Sequence, residues 1–491
     1  MRGSAIVLVI IVMALIMGAA RAAAAPLITA SPALDPAFSA SVHDYVTRCD
    51  PGQPVTVDVR PVLTPVSVNG GPTHLLHFTA PVTLQPGQAF TIAVGSGASL
   101  QDYTVRCLPQ DFPAYSVQRL GPVQAAYYLV TPDTSSPNEH AANNWVAMFN
   151  SDGVPVWWYQ EAVGSPIDAD LDPNGDLSWA VETIPDQTFG LPGGIHVEVH
   201  SLDGTLLNTL NTVGTPADLH EAWPLANGDF LIDSYVPRAG VDVSSVGLPS
   251  PDTVLDASFQ EITPAGQEVY SWDSAGQFTP QESAEYTYFN NTPYPGLGTV
   301  WDWQHINSVE PYEQGYLVSM RNTNAVYYVR ASDGQIVWKL GGTPTPQSLT
   351  ILNDPDSATD FGAQHDARVW PDGTISVHDN GTADGRPPRI ARFRIDEAAH
   401  TATLVQQITD PDAHRSLCCG SGRLLPGGDW VVAWGATPYM DEINSANKVM
   451  LRLKWVLPDF SYRAVPILPT QLDDAQLDAA MAVMYGTPAA G

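Results

Sequence analysis

The chain has 491 residues, 44% of them hydrophobic, and a formal net charge of −31. That length exceeds one ordinary core and calls for two domains, one of them large. The apolar share excludes global disorder, and the acidity disfavours nucleic acid and anionic membranes as partners.

Residues 1–24 read as a secretory signal. Arg2 precedes the apolar run from Ile6 to Met17, and Ala20-Arg21-Ala22 offers a cleavage site. The run is shorter than the about 20 residues of a membrane span, so stable insertion is not expected, although an uncleaved anchor stays open. No later segment is apolar enough to cross a bilayer. The expected location is outside the cytoplasm, whether secreted, periplasmic or on the cell surface. Loss of Arg2 and Arg21 would take the charge to −33.

Residues 26–112 are expected to form a small β-sandwich. The runs P-V-T-V-D-V, H-L-L-H-F and A-F-T-I-A-V place β-formers between Pro-Gly turns. The stretch S-P-A-L-D-P-A-F-S-A-S-V-H-D-Y resembles the start of a cadherin-like module. Export permits disulfides, and Cys49 and Cys107, which flank this unit, are expected to pair. Cys418 and Cys419 are adjacent, which leaves either a bond between neighbours or two buried thiols.

Over 118–468 the texture becomes an irregular repeat. One phrase is a turn before an aromatic strand: S-D-G-V-P-V-W-W-Y (151–159), T-P-A-G-Q-E-V-Y-S-W (263–272) and S-D-G-Q-I-V-W-K-L (332–340), with a weaker copy at 201–207. A second is a turn before an apolar strand: D-P-N-G-D-L-S-W-A (172–180), L-A-N-G-D-F-L-I (225–232), W-P-D-G-T-I-S-V (370–377) and L-P-G-G-D-W-V-V-A-W (425–434), with E-Q-G-Y-L-V-S (313–319) beside them. Asp-Gly and Asn-Gly tolerate positive φ and suit tight β-turns. Intervals of about 50 to 70 residues fit four-stranded blades, roughly six in all. The fold expected is therefore all-β, a six-bladed β-propeller preceded by a small sandwich. Two stacked sandwiches are the competing architecture. The tail, 469–491, holds one helical pattern at 472–484.

Four segments in the repeat carry groups suited to a tetrahedral oxyanion: D-L-H-E-A-W around His220, W-D-W-Q-H-I-N around His305, V-S-M-R-N-T-N around Arg321 and G-A-Q-H-D-A-R around His365. Their spacings of 85, 16 and 44 residues suit convergence from about three blades on one channel. Guanidinium and imidazolium groups donate to oxygens, and a neutral imidazole attacks electrophiles. Singly, each histidine is more often a structural partner of a carbonyl or an Asp.

In this order, together with I-V-W-K-L-G-G and H-D-N-G (378–381), the segments resemble the bacterial arylsulfate sulfotransferase family. The resemblance implies a propeller with an N-terminal β-domain that moves a sulfuryl group between phenols without a nucleotide donor. It implies His365 as the nucleophile, transiently N-sulfurylated in a ping-pong reaction. His305 and Arg321 would bind sulfuryl oxygens, His220 would donate or shuttle a proton, and Asn307 would orient a neighbour or contact the sulfate. Arg321 would also help keep His365 neutral. The partners would be an aryl sulfate donor and a phenolic acceptor, with no cofactor and no metal; assembly stays open, a homodimer among the options. The segment S-L-C-C-G-S-G-R-L-L-P-G-G (416–428), with its C-C-G-S phrase, marks a distinct branch and is expected to approach the channel, with Ser416 or Ser421 as polar contacts. Trp301, Trp303 and Trp434 offer rings for stacking or for blade packing. Three other functions compete: a binding propeller without catalysis, a quinone-dependent dehydrogenase and, if water reaches the intermediate, a sulfatase.

Overall fold

A computed structural model describes residues 25–134, 144–183, 194–286, 289–294, 296–356, 361–382 and 385–488. The expected signal segment lies outside them. Alternation in Pro54–Arg60 puts Val55, Val57 and Val59 on one buried face. That strand is central in a three-stranded sheet with Leu27–Ser31 and Phe78–Thr83. A four-stranded sheet of Asp44–Arg48, Gln101–Leu108, Ala89–Val94 and Val66–Val68 shares its core through Tyr45, Ile92 and Val105. Cys49 and Cys107 are joined in that core.

Six larger sheets follow among the described residues, each built on a four-stranded antiparallel meander, beside a two-stranded one of Thr292–Tyr294 and Gly298–Val300. Five begin with the strand nearest the axis: Ser165–Leu171, Ala217–Pro224, Ile306–Tyr312, His365–Val369 and Ser421–Leu424. The remaining sheet takes its inner strand, Asp459–Ile467, from the far end of the chain and its other three from Tyr127–Thr134, Trp145–Asn150 and Pro155–Gln160. Successive inner strands pack side by side, and Asp459–Ile467 closes the ring against Ser421–Leu424 and Ser165–Leu171. This is the β-propeller that the repeat predicts.

The two recurring phrases are the two outer hairpin turns of the sheets. L-A-N-G-D joins Ala217–Pro224 to Phe230–Val241, and S-D-G at 332–334 joins Ala325–Arg330 to Ile336–Gly341. Gly228 has φ +90°, a conformation glycine adopts without strain. The second phrase therefore closes an inner strand at one face of the ring, and each histidine segment lies toward the start of such a strand, at the other face.

The tail carries the helix Asp474–Tyr485, capped by Asp473 and Gln476 in a reciprocal box worth about 1 kcal/mol. It buries Leu477, Ala480 and Met481. Asp478 pairs with Arg106, which also holds Asp44 at 2.7 Å, so the helix ties the N-terminal sheets to the ring. Among the described residues no helix is long and apolar enough to cross a membrane, which says nothing of β-barrels.

Candidate active site

All three imidazoles come together on the axis. The ring of His220 lies 4.6 Å from that of His305 and 6.2 Å from that of His365, between centroids. Each histidine stands at or near the start of an inner strand, so the shared direction of those strands brings residues 60 and more positions apart to one mouth. All three are at most 4% exposed. Arg321 follows the second strand of the fourth sheet, and its backbone N–H donates to the carbonyl of His305 at 2.8 Å. Its guanidinium lies 4.9 Å from the Phe289 ring, and Phe289 in turn lies 5.1 Å from His305.

Two histidines are oriented by aspartates. Nδ1 of His220 bonds the carboxylate of Asp218, and Nδ1 of His305 that of Asp302. A carboxylate bound at Nδ1 fixes the ring and leaves Nε2 for the pocket. No partner engages either Nε2 among the described residues. Burial pushes the Asp302 carboxyl up to about 7, with a contribution from the nearby Asp218 charge. Burial also opposes ionisation of Asp218, but His220 outweighs it and holds this carboxyl below its ordinary range. His305 is held well below its ordinary value by burial, then by His220 and Arg321.

His365 is oriented differently. Its Nδ1 lies 2.8 Å from the carbonyl of Gly420, which can only accept, so Nδ1 carries the hydrogen and Nε2 the lone pair. The Tyr462 hydroxyl lies 3.1 Å from that Nε2 and 3.3 Å from the carbonyl of His220, and its single hydrogen serves one of them at a time. Burial keeps Tyr462 protonated, well above its ordinary value. Burial, then the Arg463 guanidinium and His220, hold His365 well below its ordinary value. The cation acting on His365 is thus Arg463, whereas Arg321 acts on His305. Arg321, expected from the sequence to keep His365 neutral, does so for His305 instead, because the last strand returns Arg463 to the axis beside His365.

Asn307 donates from Nδ2 to the carbonyl of Gln364 at 2.8 Å, which sets the backbone just before His365. The C-C-G-S segment does reach the channel, through its backbone. The carbonyl of Leu417 accepts from Arg321 at 3.1 Å, and that of Gly420 from His365. Between these two carbonyls Cys418 and Cys419 are joined to each other, which answers the question the sequence left open. Gly420 has φ +92°, and a Cβ there would meet the His378 ring at 2.5 Å. Ser416 braces the loop and Ser421 the strands: Ser416 Oγ donates to Cys418, while Ser421 Oγ accepts from Ala464. Trp434 donates to Asp441, Trp301 to the carbonyl of Glu285, and Trp303 lies buried in the core beside Arg238.

Beneath the histidines lies a buried ionic layer. Arg463 reaches Asp168 at 2.5 Å and Glu221 at 3.2 Å, Arg368 reaches Glu221 at 2.9 Å and Asp366 at 2.8 Å, and Arg423 pairs with Asp366. The inner strands of five sheets contribute to it. Asp218, His220 and Asp233 also bring potential metal-ligand atoms close together, but Asp218 already holds the His220 ring. An open groove of about 760 Å³ lined by Gln277, Glu282, Tyr327 and Lys339 lies elsewhere, with no imidazole among its lining residues. The chemistry favours the histidines over that groove as the site.

Sequence reasoning missed Asp218, Asp302, Tyr462 and Arg463. The first two had a signal: in D-L-H and D-W-Q-H an aspartate stands two or three residues before the imidazole. Tyr462 and Arg463 had none, because S-Y-R-A carries no turn phrase and its place depends on ring closure.

A family model described as Arylsulfotransferase (ASST) matches residues 198–455, just over half of the chain. No curated protein matches. Among solved structures, a protein of unknown function from Bacteroides caccae is 14% identical, with a TM-score of 0.42 over 70% of this chain and 99% of that one. A streptogramin B lyase is 10% identical, with a TM-score of 0.35 over 69% of this chain and 86% of that one. Hsv2 of Kluyveromyces lactis is 9% identical, with a TM-score of 0.32 over 80% of this chain and 95% of that one.

Proposed function

Since this chain belongs to the arylsulfotransferase family, we infer that it is an exported enzyme that moves a sulfuryl group from an aryl sulfate to a phenol through Nε2 of His365. The observation that carries this reading is the bond from His365 Nδ1 to the Gly420 carbonyl, which presents a neutral imidazole lone pair at the meeting point of His220, His305 and Tyr462.

In the first half-reaction Nε2 attacks sulfur, the S–O bond to the aryl group breaks, and the phenolate leaves. His220 supplies the proton that neutralises it. The N-sulfurylated ring is then an imidazolium whose Nδ1–H still points at Gly420, so the carbonyl dipole stabilises the charge as it develops. Tyr462 gives up Nε2 as sulfur arrives and can donate to a sulfuryl oxygen instead. His305 and Arg321 supply the other donors. In the second half-reaction His220 takes the proton of an acceptor phenol, its oxygen attacks sulfur, and the N–S bond breaks to restore neutral His365. Nothing in this sequence calls on a metal or a nucleotide. Burial of all three histidines favours transfer over hydrolysis, since water is largely excluded.

The test is release of phenol from an aryl sulfate with and without a second phenol. Transfer predicts release that depends on the acceptor, with parallel double-reciprocal plots and a sulfuryl group recoverable on the His365 peptide. Release without acceptor would mean hydrolysis. No release from a panel of aryl sulfates by folded protein would favour a propeller that only binds.

The joined Cys418 and Cys419 lie in the loop whose carbonyls hold both Arg321 and His365. Displacing a catalytic group by about 1 Å can cost on the order of 10²-fold. A Cys418→Ser/Cys419→Ser variant is therefore expected to lose about 10- to 100-fold in kcat/KM while melting close to wild type. Unchanged kinetics would show that the loop holds its carbonyls without the bond.

A further inference from the structure

A second cluster lies away from the axis, between the first and second sheets. In strand Ile195–His200 the alternate residues His196, Glu198 and His200 share one face. Trp179, directly across from Glu198 on the neighbouring strand, stacks on His200 with centroids 4.2 Å apart and planes 14° from parallel. Tyr159 of the first sheet covers the same ring at 5.0 Å. Glu161, just after the outermost strand of the first sheet, reaches in from the other side. Glu161, Glu198 and His200 each offer one ligand atom, all within 4.8 Å of one another.

The hydrogen bonding of this cluster is incomplete as it stands. Nδ1 of His200 lies 3.2 Å from the Gly204 carbonyl, which can only accept, so this nitrogen carries a hydrogen. Nε2 lies 2.8 Å from Oε2 of Glu198. A neutral ring would therefore set a lone pair against a carboxylate. An imidazolium would repair that contact, but not the next one. Glu161 is 6% exposed; its Oε1 accepts the N–H of Ala162 at 2.8 Å, while its Oε2 is buried without a partner. One proton on His200 cannot satisfy both carboxylates, and a divalent cation can serve all three donors.

The surroundings are those of a held ligand set. The Gly204 carbonyl and Trp179 fix the His200 ring, and Nε2 of His196 occupies the second oxygen of Glu198 at 3.0 Å. Outer partners of this kind orient metal-binding groups. An imidazole with two carboxylates suits zinc better than the all-oxygen sets of calcium or magnesium. We propose that Glu161, Glu198 and His200 bind one zinc-class divalent cation, which fastens the outer edge of the first sheet to the third strand of the second.

The experiment uses the full chain without a polyhistidine tag, stripped with a chelator, dialysed and titrated with ZnCl₂ by calorimetry. Wild type is expected to bind one equivalent at this site and to melt at a higher temperature with zinc. Glu161→Gln keeps the size of the side chain and its bonds to the backbone, and is expected to weaken binding at least about tenfold, as is His200→Gln. Asp218→Asn, which removes a donor of the axial group, is expected to leave this equivalent in place. Co²⁺ gives a readout on wild type alone: visible bands of a low-symmetry N/O site that zinc displaces. Absence of saturable binding, or zinc binding unchanged in both Glu161→Gln and His200→Gln, would overturn the proposal. So would a preference for Ca²⁺ over Zn²⁺.

Discussion

His365→Asn is expected to abolish sulfuryl transfer, with a fall of about 10³-fold or more in turnover, because the group that forms the covalent bond is gone. The asparagine amide can still donate to the Gly420 carbonyl, so the loop keeps its partner and the melting temperature should stay near that of wild type. Phenol release in the presence of an acceptor is the readout. Undiminished turnover would remove His365 from the chemistry. The pH profile adds a second check. The nucleophile works only when neutral, and burial, Arg463 and His220 hold its pKa below the usual 6.5. Falling pH protonates Nε2 and removes the lone pair, so the acid limb should lie below pH 6.5 rather than at or above it. Tyr462→Phe removes a donor that favours the neutral ring. It is expected to move this limb upward while costing turnover only about tenfold or less, as for the loss of one hydrogen bond. A limb at the same pH in both proteins would mean that Tyr462 bonds the His220 carbonyl instead.

The propeller was legible because its turns are written in local chemistry. N-G-D at 227–229 and S-D-G at 332–334 each specify a hairpin without reference to the rest of the chain. The histidines were legible because each lies at or near the start of an inner strand that ends in one of those turns, and because the segments resemble a known family. Their convergence follows from ring topology, which the repeat implies. What stayed hidden depends on closure. Tyr462 and Arg463 reach the axis only because Asp459–Ile467 pairs with Tyr127–Thr134, more than 300 residues earlier. The partition between Arg321 and Arg463 could not be read for the same reason. The bond between Cys418 and Cys419 was undecided because adjacency alone does not fix the local backbone. The carbonyls of Leu417 and Gly420 carry no side-chain signature at all.

Arg463→Met is expected to destabilise the ring by about 3–5 kcal/mol, the usual loss when one partner of a buried ion pair is removed and the other stays. Arg463 is 2% exposed and holds Asp168 at 2.5 Å, Glu221 at 3.2 Å and the carbonyl of Asn307 at 2.7 Å. Methionine fills much of the volume but supplies no donor. Glu221 keeps Arg368, so the main orphan is Asp168. Burial already raises the carboxyl pKa values of Asp168 and Glu221, against the pull of the arginines. Without Arg463 these groups rise further, and a raised carboxyl costs less once it is protonated. The gap between variant and wild type should therefore narrow as pH falls and widen as it rises, as urea unfolding on both sides of neutrality would show. A cycle with Asp168→Asn separates charge from packing: if the orphaned charge is the cost, the double variant recovers much of the loss. A loss below about 1 kcal/mol, constant with pH, would mean that water or a neighbouring arginine replaces the guanidinium. Turnover should fall in the variant too, since Arg463 fixes Asn307, Asn307 fixes the backbone at Gln364, and His365 comes next. The ionic layer thus serves the site above it twice, by closing the channel floor and by setting the backbone from which the nucleophile projects.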